Sequence, residues 1–408
     1  MFAFKFDRMF VLGVFAALGA LLLVALLMLN GLGEQGGKNS YAALANSFLN
    51  GQLDTPGCDD VDCAKHNDKE WVVFPPAPAL IALPFVALFG PDFSGFIFLA
   101  LIMSGVTLLL WWRIARALGL EKVDAAWLLT AIAFATPLYY VTLRGDAVWF
   151  FAQVVGTLFV TLALHEAAYG RLLRAGIALG IAFLSRQMLI LFAPFLFALA
   201  LRDNERLISF GGAHLRRAFT LALPVLAAVG VYYLYNWARF GDPLDTGYAY
   251  IVTSGDEGTN FIGHRIRDIG LFSAEYVPFN LVYLLFEGLH VAFEGDYLTE
   301  FAGVSPFGTS LLAASPFVLL AWFVPLRRQI VIGLLCAAVI CGVTLFYHNN
   351  GFSQYGMQRF TLDWLPVIFF ALAMGPVREY AGAFRILALY GVTLNAVTMG
   401  AAALSRYV

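Results

Sequence analysis

The sequence predicts an all-α integral membrane protein with about eleven transmembrane helices, and three observations carry that reading. Hydrophobic residues make up 61% of the 408 positions and charged residues only 13%, with a mean hydropathy of +0.78, far from the balance of a water-soluble domain. The apolar residues gather into runs of about membrane length. Between these runs the lysines and arginines fall on alternate loops, as the positive-inside rule requires of a multi-pass chain.

The first run, 9–30, follows Lys5 and Arg8 and has no small-x-small cleavage site before Gly31. It reads as a retained signal anchor with a cytoplasmic N-terminus. The spans that follow are 95–112, 124–142, 148–164, 175–185, 188–201, 218–236, 308–325, 329–347, 362–375 and 386–404. Ser185 and Arg186 interrupt the apolar stretch that holds the fifth and sixth, so these two are short or re-entrant. Arg113, Arg116 and Lys122, then Arg171 and Arg174, Arg202 to Arg217, Arg327 and Arg328, and Arg378 and Arg385 all fall on the N-terminal side of this map. The stretch 77–89 is apolar but short, opens after Pro75-Pro76 and contains Pro84, so it is placed as a helix at the outer surface.

One polytopic unit spans 1–408, and two long segments, 31–94 and 239–306, fall on the outer face. Loops of that length in a compact membrane protein carry function more often than linkage. In the first, Tyr41 to Leu49 repeats apolar residues at helical spacing and stops before Gly51, as an amphipathic surface helix does. Cys58 and Cys63 stand close together in the same exported segment, where an oxidising compartment favours a disulfide. Cys336 and Cys341 lie in an apolar span and read as packing residues.

A net charge of −2 excludes a global basic field, and nucleic acid is not an expected partner. No P-loop, GxSxG, HExxH or dinucleotide fingerprint occurs in a usable context, so nucleotide chemistry is disfavoured. No cofactor is expected; Asp59, Asp60, Asp62, His66 and Asp68 could together ligate a divalent cation, but their spacing matches no strong metal pattern.

Two groups of outer-face residues stand out. Glu34, just beyond the first span, and Asp146, in Arg144-Gly145-Asp146 between two spans, are carboxylates close to lipid. Charges there are costly unless paired or functional. Either Arg144 and Asp146 simply pair, or Asp146 stands at the rim of a site. Arg186 and Arg359 break the positive-inside trend. Permanent charge with directional donors is what a phosphate needs, and Arg144 joins them as a third candidate. The plain alternative for Arg359 is an ion pair with Asp363.

Three stretches then carry a family resemblance: Tyr41-Ala-Ala-Leu-Ala-Asn-Ser-Phe-Leu-Asn-Gly51 with Phe74-Pro-Pro-Ala-Pro-Ala-Leu80; Asn236-Trp-Ala-Arg-Phe-Gly-Asp-Pro-Leu-Asp-Thr-Gly-Tyr248; and 351–366 with its Tyr-Gly-x-x-Arg-Phe core. Together with the long first outer loop they resemble the GT-C polytopic glycosyltransferases that use polyprenyl-phosphate sugars, including bacterial protein-mannosyltransferase-like and aminoarabinose-transferase-like members. The resemblance implies a cavity facing the periplasm and an inverting transfer without nucleotide. The partners it implies are a polyprenyl-phosphate sugar, an envelope acceptor and the bilayer, in a bacterial-type inner membrane. On it, Arg359, Arg186 and Arg144 would bind the donor phosphate, and Glu34 or Asp146 would serve as base. The family's common acid comes just before the Tyr-x-x-Leu-Ala helix, where this chain has Lys38-Asn39. The competing readings are a transporter or flippase of lipid-linked glycans, which would favour mid-span charges and internal repeats, and a non-catalytic assembly subunit.

Overall fold

The computed structural model describes residues 34, 36–57, 63–202, 204–251, 261–305, 307–351 and 356–404. The expected first span, 9–30, lies outside them, as do Cys58, Asp59, Asp60 and Asp62.

Helix α1 (Ser40–Leu49) begins at Asn39, whose Oδ1 accepts the Tyr41 N–H at 3.0 Å and so satisfies one of the helix's orphan donors. The helix packs on α2, and Tyr41, Ala42, Leu44 and Ala45 are buried. It is therefore more enclosed than the surface helix its spacing predicts. A hairpin follows, β1 (Cys63–His66) with β2 (Lys69–Val72), turning through Asn67 and Asp68, both at positive φ. Asparagine and aspartate tolerate that conformation best among non-glycine residues, which suits a two-residue turn. Helix α2 (Ala77–Phe89) starts behind Pro75-Pro76, with Pro78 in its first turn, and stops at Gly90, at a φ of 86°.

The bundle proper comprises α3 (Phe96–Ala117), α4 (Lys122–Phe134), α5 (Leu138–Leu143), α6 (Val148–Ala168), α7 (Leu172–Phe183), α8 (Ala193–Leu199) and α9 (Gly212–Phe240). After helix α10 (Phe261–Asp268) and the hairpin β3 (Val291–Glu294) with β4 (Glu300–Val304) come α11 (Arg328–Leu345), α12 (Leu365–Ala373) and α13 (Ala381–Leu404). Five of these, α3, α6, α9, α11 and the stretch 381–402 of α13, are long and apolar enough to cross a membrane. Several expected spans are broken instead of continuous. The one at 124–142 divides at Thr136-Pro137 into α4 and α5, and the one at 308–325 becomes a single turn at 311–314 followed by a 3-10 segment, Pro316–Phe323. Proline removes a helix hydrogen bond and clashes with the preceding turn, so the apolar run continues while the helix does not.

Helix α6 packs between α3 and α7, and α7 in turn packs on α9. The last contact uses Gly176 and Gly180. A Cβ on Gly176 would stand 2.4 Å from the Leu221 carbonyl oxygen, and one on Gly180 would meet Ala228 at 3.0 Å. This small-xxx-small spacing lets two backbones approach without a driving force from water. Arginines that the charge bias places on one side also meet one another's loops. Arg217 pairs with Glu205 at 2.7 Å, Arg328 Nη2 donates to the Arg202 carbonyl at 3.0 Å, and Arg385 pairs with Asp124 at 2.9 Å.

Candidate active site

Arg186 stands where α7 has ended and a 3-10 segment, Gln187–Phe192, begins; its own backbone is extended, at φ −146°. The break that Ser185-Arg186 makes in the apolar run thus frees a side chain from the helix wall. Arg359 opens a second 3-10 segment, Arg359–Asp363, just ahead of α12. Both arginines face the ring of Phe360, Arg186 at 5.0 Å and Arg359 at 4.7 Å from its centroid. Arg359 also faces Phe150 at 5.2 Å, and Arg144 faces the same ring at 5.9 Å. The three arginines singled out in the sequence are therefore strung along two phenylalanine rings.

The carboxylate of Asp363, 1% exposed, receives the Arg186 guanidinium as a fork, Nε donating to Oδ1 at 3.2 Å and Nη2 to Oδ2. Gln153 Nε2 from α6 donates to the same Oδ1 at 2.7 Å. The plain alternative for Arg359, an ion pair with Asp363, is not what the fold forms: Asp363 pairs with Arg186. Sequence proximity suggested the neighbour four positions away, whereas the fold presents a partner 177 positions away with better geometry.

Arg186, Arg359, Phe360 and Asp363 line one cavity of about 600 Å³, shared with Trp149, Tyr232, Tyr248, Tyr347 and His348. Two guanidiniums against one ring lie within about 10 Å of each other, and charges at that separation repel measurably at protein dielectric. Asp363 offsets one of them.

His348 escaped sequence reasoning, since a lone histidine in a Tyr-His-Asn-Asn turn carries no spacing signal. Its backbone is fixed on both sides: its N–H donates to Leu271 O at 3.0 Å and its carbonyl accepts from Arg265 Nη1 at 2.8 Å. Its ring lies 4.1 Å from that of Tyr347, and burial, with Arg265 nearby, pushes its pKa down to about 4. The imidazole is neutral at ordinary pH.

The two candidate carboxylates lie at another place. Glu34 accepts the N–H groups of Phe96 and Ile97, each at 3.1 Å, at the N-terminus of α3, where the helix dipole favours an anion. Burial nevertheless raises its pKa above the usual carboxylate range, and the charge of Asp146 adds to the rise. Asp146 Oδ1 accepts from Arg144 Nε at 3.2 Å, the pairing anticipated as the plain reading. Asn39 Nδ2 donates to the Asp146 and Gly145 carbonyls at 2.9 and 3.4 Å. At the position where the resembled family carries an acid, this chain has a residue that ties the segment before α1 to the turn between α5 and α6. Glu34, Asp146 and Arg144 are neighbours of one another but are not among the residues lining the cavity; Phe150, between Arg144 and Arg359, connects the two places.

Cys63 is disulfide-bonded, and the partner expected for it, Cys58, lies outside the described residues. Cys336 and Cys341 are free. Among the described residues no group of three or more His, Cys, Asp or Glu side chains is placed to hold a metal.

Against this geometry, a family model described as dolichyl-phosphate-mannose-protein mannosyltransferase matches residues 74–232, from the start of α2 into α9. The matched stretch includes Arg144, Asp146 and Arg186. The crystal structure of ArnT from Cupriavidus metallidurans, bound to undecaprenyl phosphate, is similar to this chain with a TM-score of 0.50 and 13% identity, over 96% of this chain and 77% of that one. The chain has the GT-C fold. No curated protein matches it in sequence. The GT-C architecture implied by the three resembling stretches is the one observed, and the broken spans around Arg186 and Arg359 are where it opens its cavity.

Proposed function

We propose that this chain is a membrane glycosyltransferase that moves a sugar from a polyprenyl-phosphate donor to an envelope lipid, glycan or protein at the periplasmic face. The observation that carries the reading is the convergence of Arg186 and Arg359 on one cavity wall, where Asp363 pairs with Arg186. The GT-C fold supports it, as does the solved relative, whose structure holds undecaprenyl phosphate. In the reaction the acceptor oxygen attacks the anomeric carbon. The bond from that carbon to the phosphate oxygen breaks, its electron pair leaves with the lipid phosphate, and the acceptor's proton passes to a base. Arg359 and Arg186 stabilise the phosphate as charge grows on it. Glu34 or Asp146, set off the cavity wall but joined to it through Arg144 and Phe150 as its acidic rim, orients or deprotonates the acceptor, and the raised proton affinity of Glu34 suits it to take the proton.

Incubating the purified protein in nanodiscs with radiolabelled polyprenyl-phosphate sugars and extracted envelope acceptors tests this directly. Label should move to an acceptor with release of lipid phosphate. Vectorial movement of intact donor across vesicles without any transfer would support the transporter reading instead.

A further inference from the structure

Helix α6 meets the Arg186–Asp363 pair at two points about one turn apart. Gln153, 0% exposed, donates from Nε2 to Asp363 Oδ1 at 2.7 Å. Its Oε1 is enclosed and has no hydrogen-bond partner among the described residues. The opposite amide orientation would set that oxygen against a carboxylate, so the donating orientation is the one the site enforces. An enclosed glutamine with half its amide unsatisfied is costly inside a span, and an apolar side chain of the same length would fill the space without that cost. Gly156, three positions on and on the same helix face, marks the second point. A Cβ there would stand 2.8 Å from Arg186 Cγ and 3.0 Å from Leu189 Cδ1, so the stem of Arg186 lies directly on the α6 backbone. Trp149 and Ala152 of α6 line the cavity, whereas Gln153 and Gly156 do not.

We infer that Gln153 and Gly156 are positioning residues for the donor phosphate, acting through Arg186. This rests on the donor reading above. An arginine side chain has much rotamer freedom to lose when it is held in one place. Gly156 admits the stem of Arg186 along one track. Gln153 fixes the plane of the Asp363 carboxylate, and the fork from Nε and Nη2 to that carboxylate then fixes the plane of the guanidinium. The N–H groups outside the fork are thereby held in set directions before the phosphate arrives, and such preorganisation strengthens a charge-assisted contact.

The test is binding of fluorescent undecaprenyl phosphate to the full chain in nanodiscs, measured per folded molecule. Gln153→Met keeps the length of the side chain and every charge on the wall but has no N–H to give, and Gly156→Ala adds one methyl against the Arg186 stem. Each should weaken binding on the order of tenfold. Both are then repeated in Arg186→Gln with Asp363→Asn, which removes the two charges together and so leaves neither one buried alone. In that background there is no guanidinium to aim, and neither change should weaken binding further. Damage to packing would instead cost the same in both backgrounds. An equal loss in both, or no loss in the parent, would overturn the inference and leave the donor reading standing on the weaker binding of the Arg186→Gln, Asp363→Asn protein. Binding by that protein as tight as the parent's would take Arg186 out of the donor site and remove both.

Discussion

Arg186 and Asp363, 177 positions apart, form a forked ion pair in which the carboxylate is 1% exposed and the guanidinium 21% exposed. One oxygen of that carboxylate also accepts from Gln153, so α6, the break after α7 and the segment before α12 are pinned at one point. Removing one partner of such a pair leaves the other uncompensated. Asp363→Asn should therefore destabilise the fold by about 2–4 kcal/mol, somewhat under the cost for a fully enclosed pair because Arg186 keeps some solvent. It also removes the one carboxylate on the described cavity wall, so added undecaprenyl phosphate should raise the variant's unfolding temperature more than the parent's. Thermal unfolding in nanodiscs, with and without the lipid, measures both effects, and an equal lipid shift in the two proteins would mean that Asp363 does not offset the Arg186 charge toward the lipid phosphate.

Arg359 is 5% exposed and lies against Phe150 and Phe360 in the cavity wall. If it clamps the donor phosphate, Arg359→Ala should lose about 2–5 kcal/mol of donor interaction, roughly thirty- to several-thousand-fold in transfer efficiency. Arg359→Lys should lose less, since lysine keeps the charge but not the fork. Transfer per folded molecule and donor-lipid affinity should fall together, and a normal donor affinity in the alanine variant would take Arg359 out of the site.

Much of this site was legible because charge is costly near lipid. Arg186 and Arg359 were found as exceptions to a loop bias, and that exception is a physical signal that one sequence carries by itself. What the sequence did not reveal was pairing. Nothing local connects Asp363 to Arg186, and the only partner that spacing offers it is the nearer Arg359. The breaks in the spans were missed for a related reason: hydropathy continues unchanged through Pro137 and Pro316, while the helix hydrogen bonding does not. The hairpin at 63–72 is too short for alternation to register, and its Asn67-Asp68 turn sits among other polar residues. His348 became a site residue only once the fold buried it on the cavity wall.

Glu34 and Asp146 stand off the cavity wall, so if they serve the acceptor as proposed, their loss is separable from loss of donor binding. Loss of a general base costs about 10²–10⁴ in rate, and either carboxylate replaced by its amide should slow transfer without weakening binding of undecaprenyl phosphate. Glu34→Gln keeps an oxygen to accept one N–H at the start of α3, so its folded yield should stay close to the parent's, whereas Glu34→Ala should also lose about 1 kcal/mol of capping. Single-turnover rates beside lipid affinity decide between them: a rate unchanged in both Glu34→Gln and Asp146→Asn would leave the acidic rim with a purely structural part.

His348 supplies a pH signature of the closed fold. Its pKa is held near 4 by burial, against the ordinary histidine value of 6.5, so between these two pH values the unfolded chain binds a proton that the folded protein excludes. Stability must then rise with pH across that window. The contribution is fully present above pH 6.5 and is lost progressively as the pH falls toward 4, by about 3 kcal/mol at 1.36 kcal/mol for each pKa unit. The opposing effect comes from Glu34, whose pKa is raised: its ionisation costs the folded state, so that group adds stability at the acid end. Comparing His348→Gln with the parent isolates the histidine, because glutamine keeps a polar group of similar length and has nothing to titrate. Thermal unfolding in nanodiscs at pH 7 and pH 5 should show a larger acid-induced loss in the parent than in the variant. Parallel losses in the two proteins would mean that the His348 ring takes up its proton without leaving its place on the cavity wall.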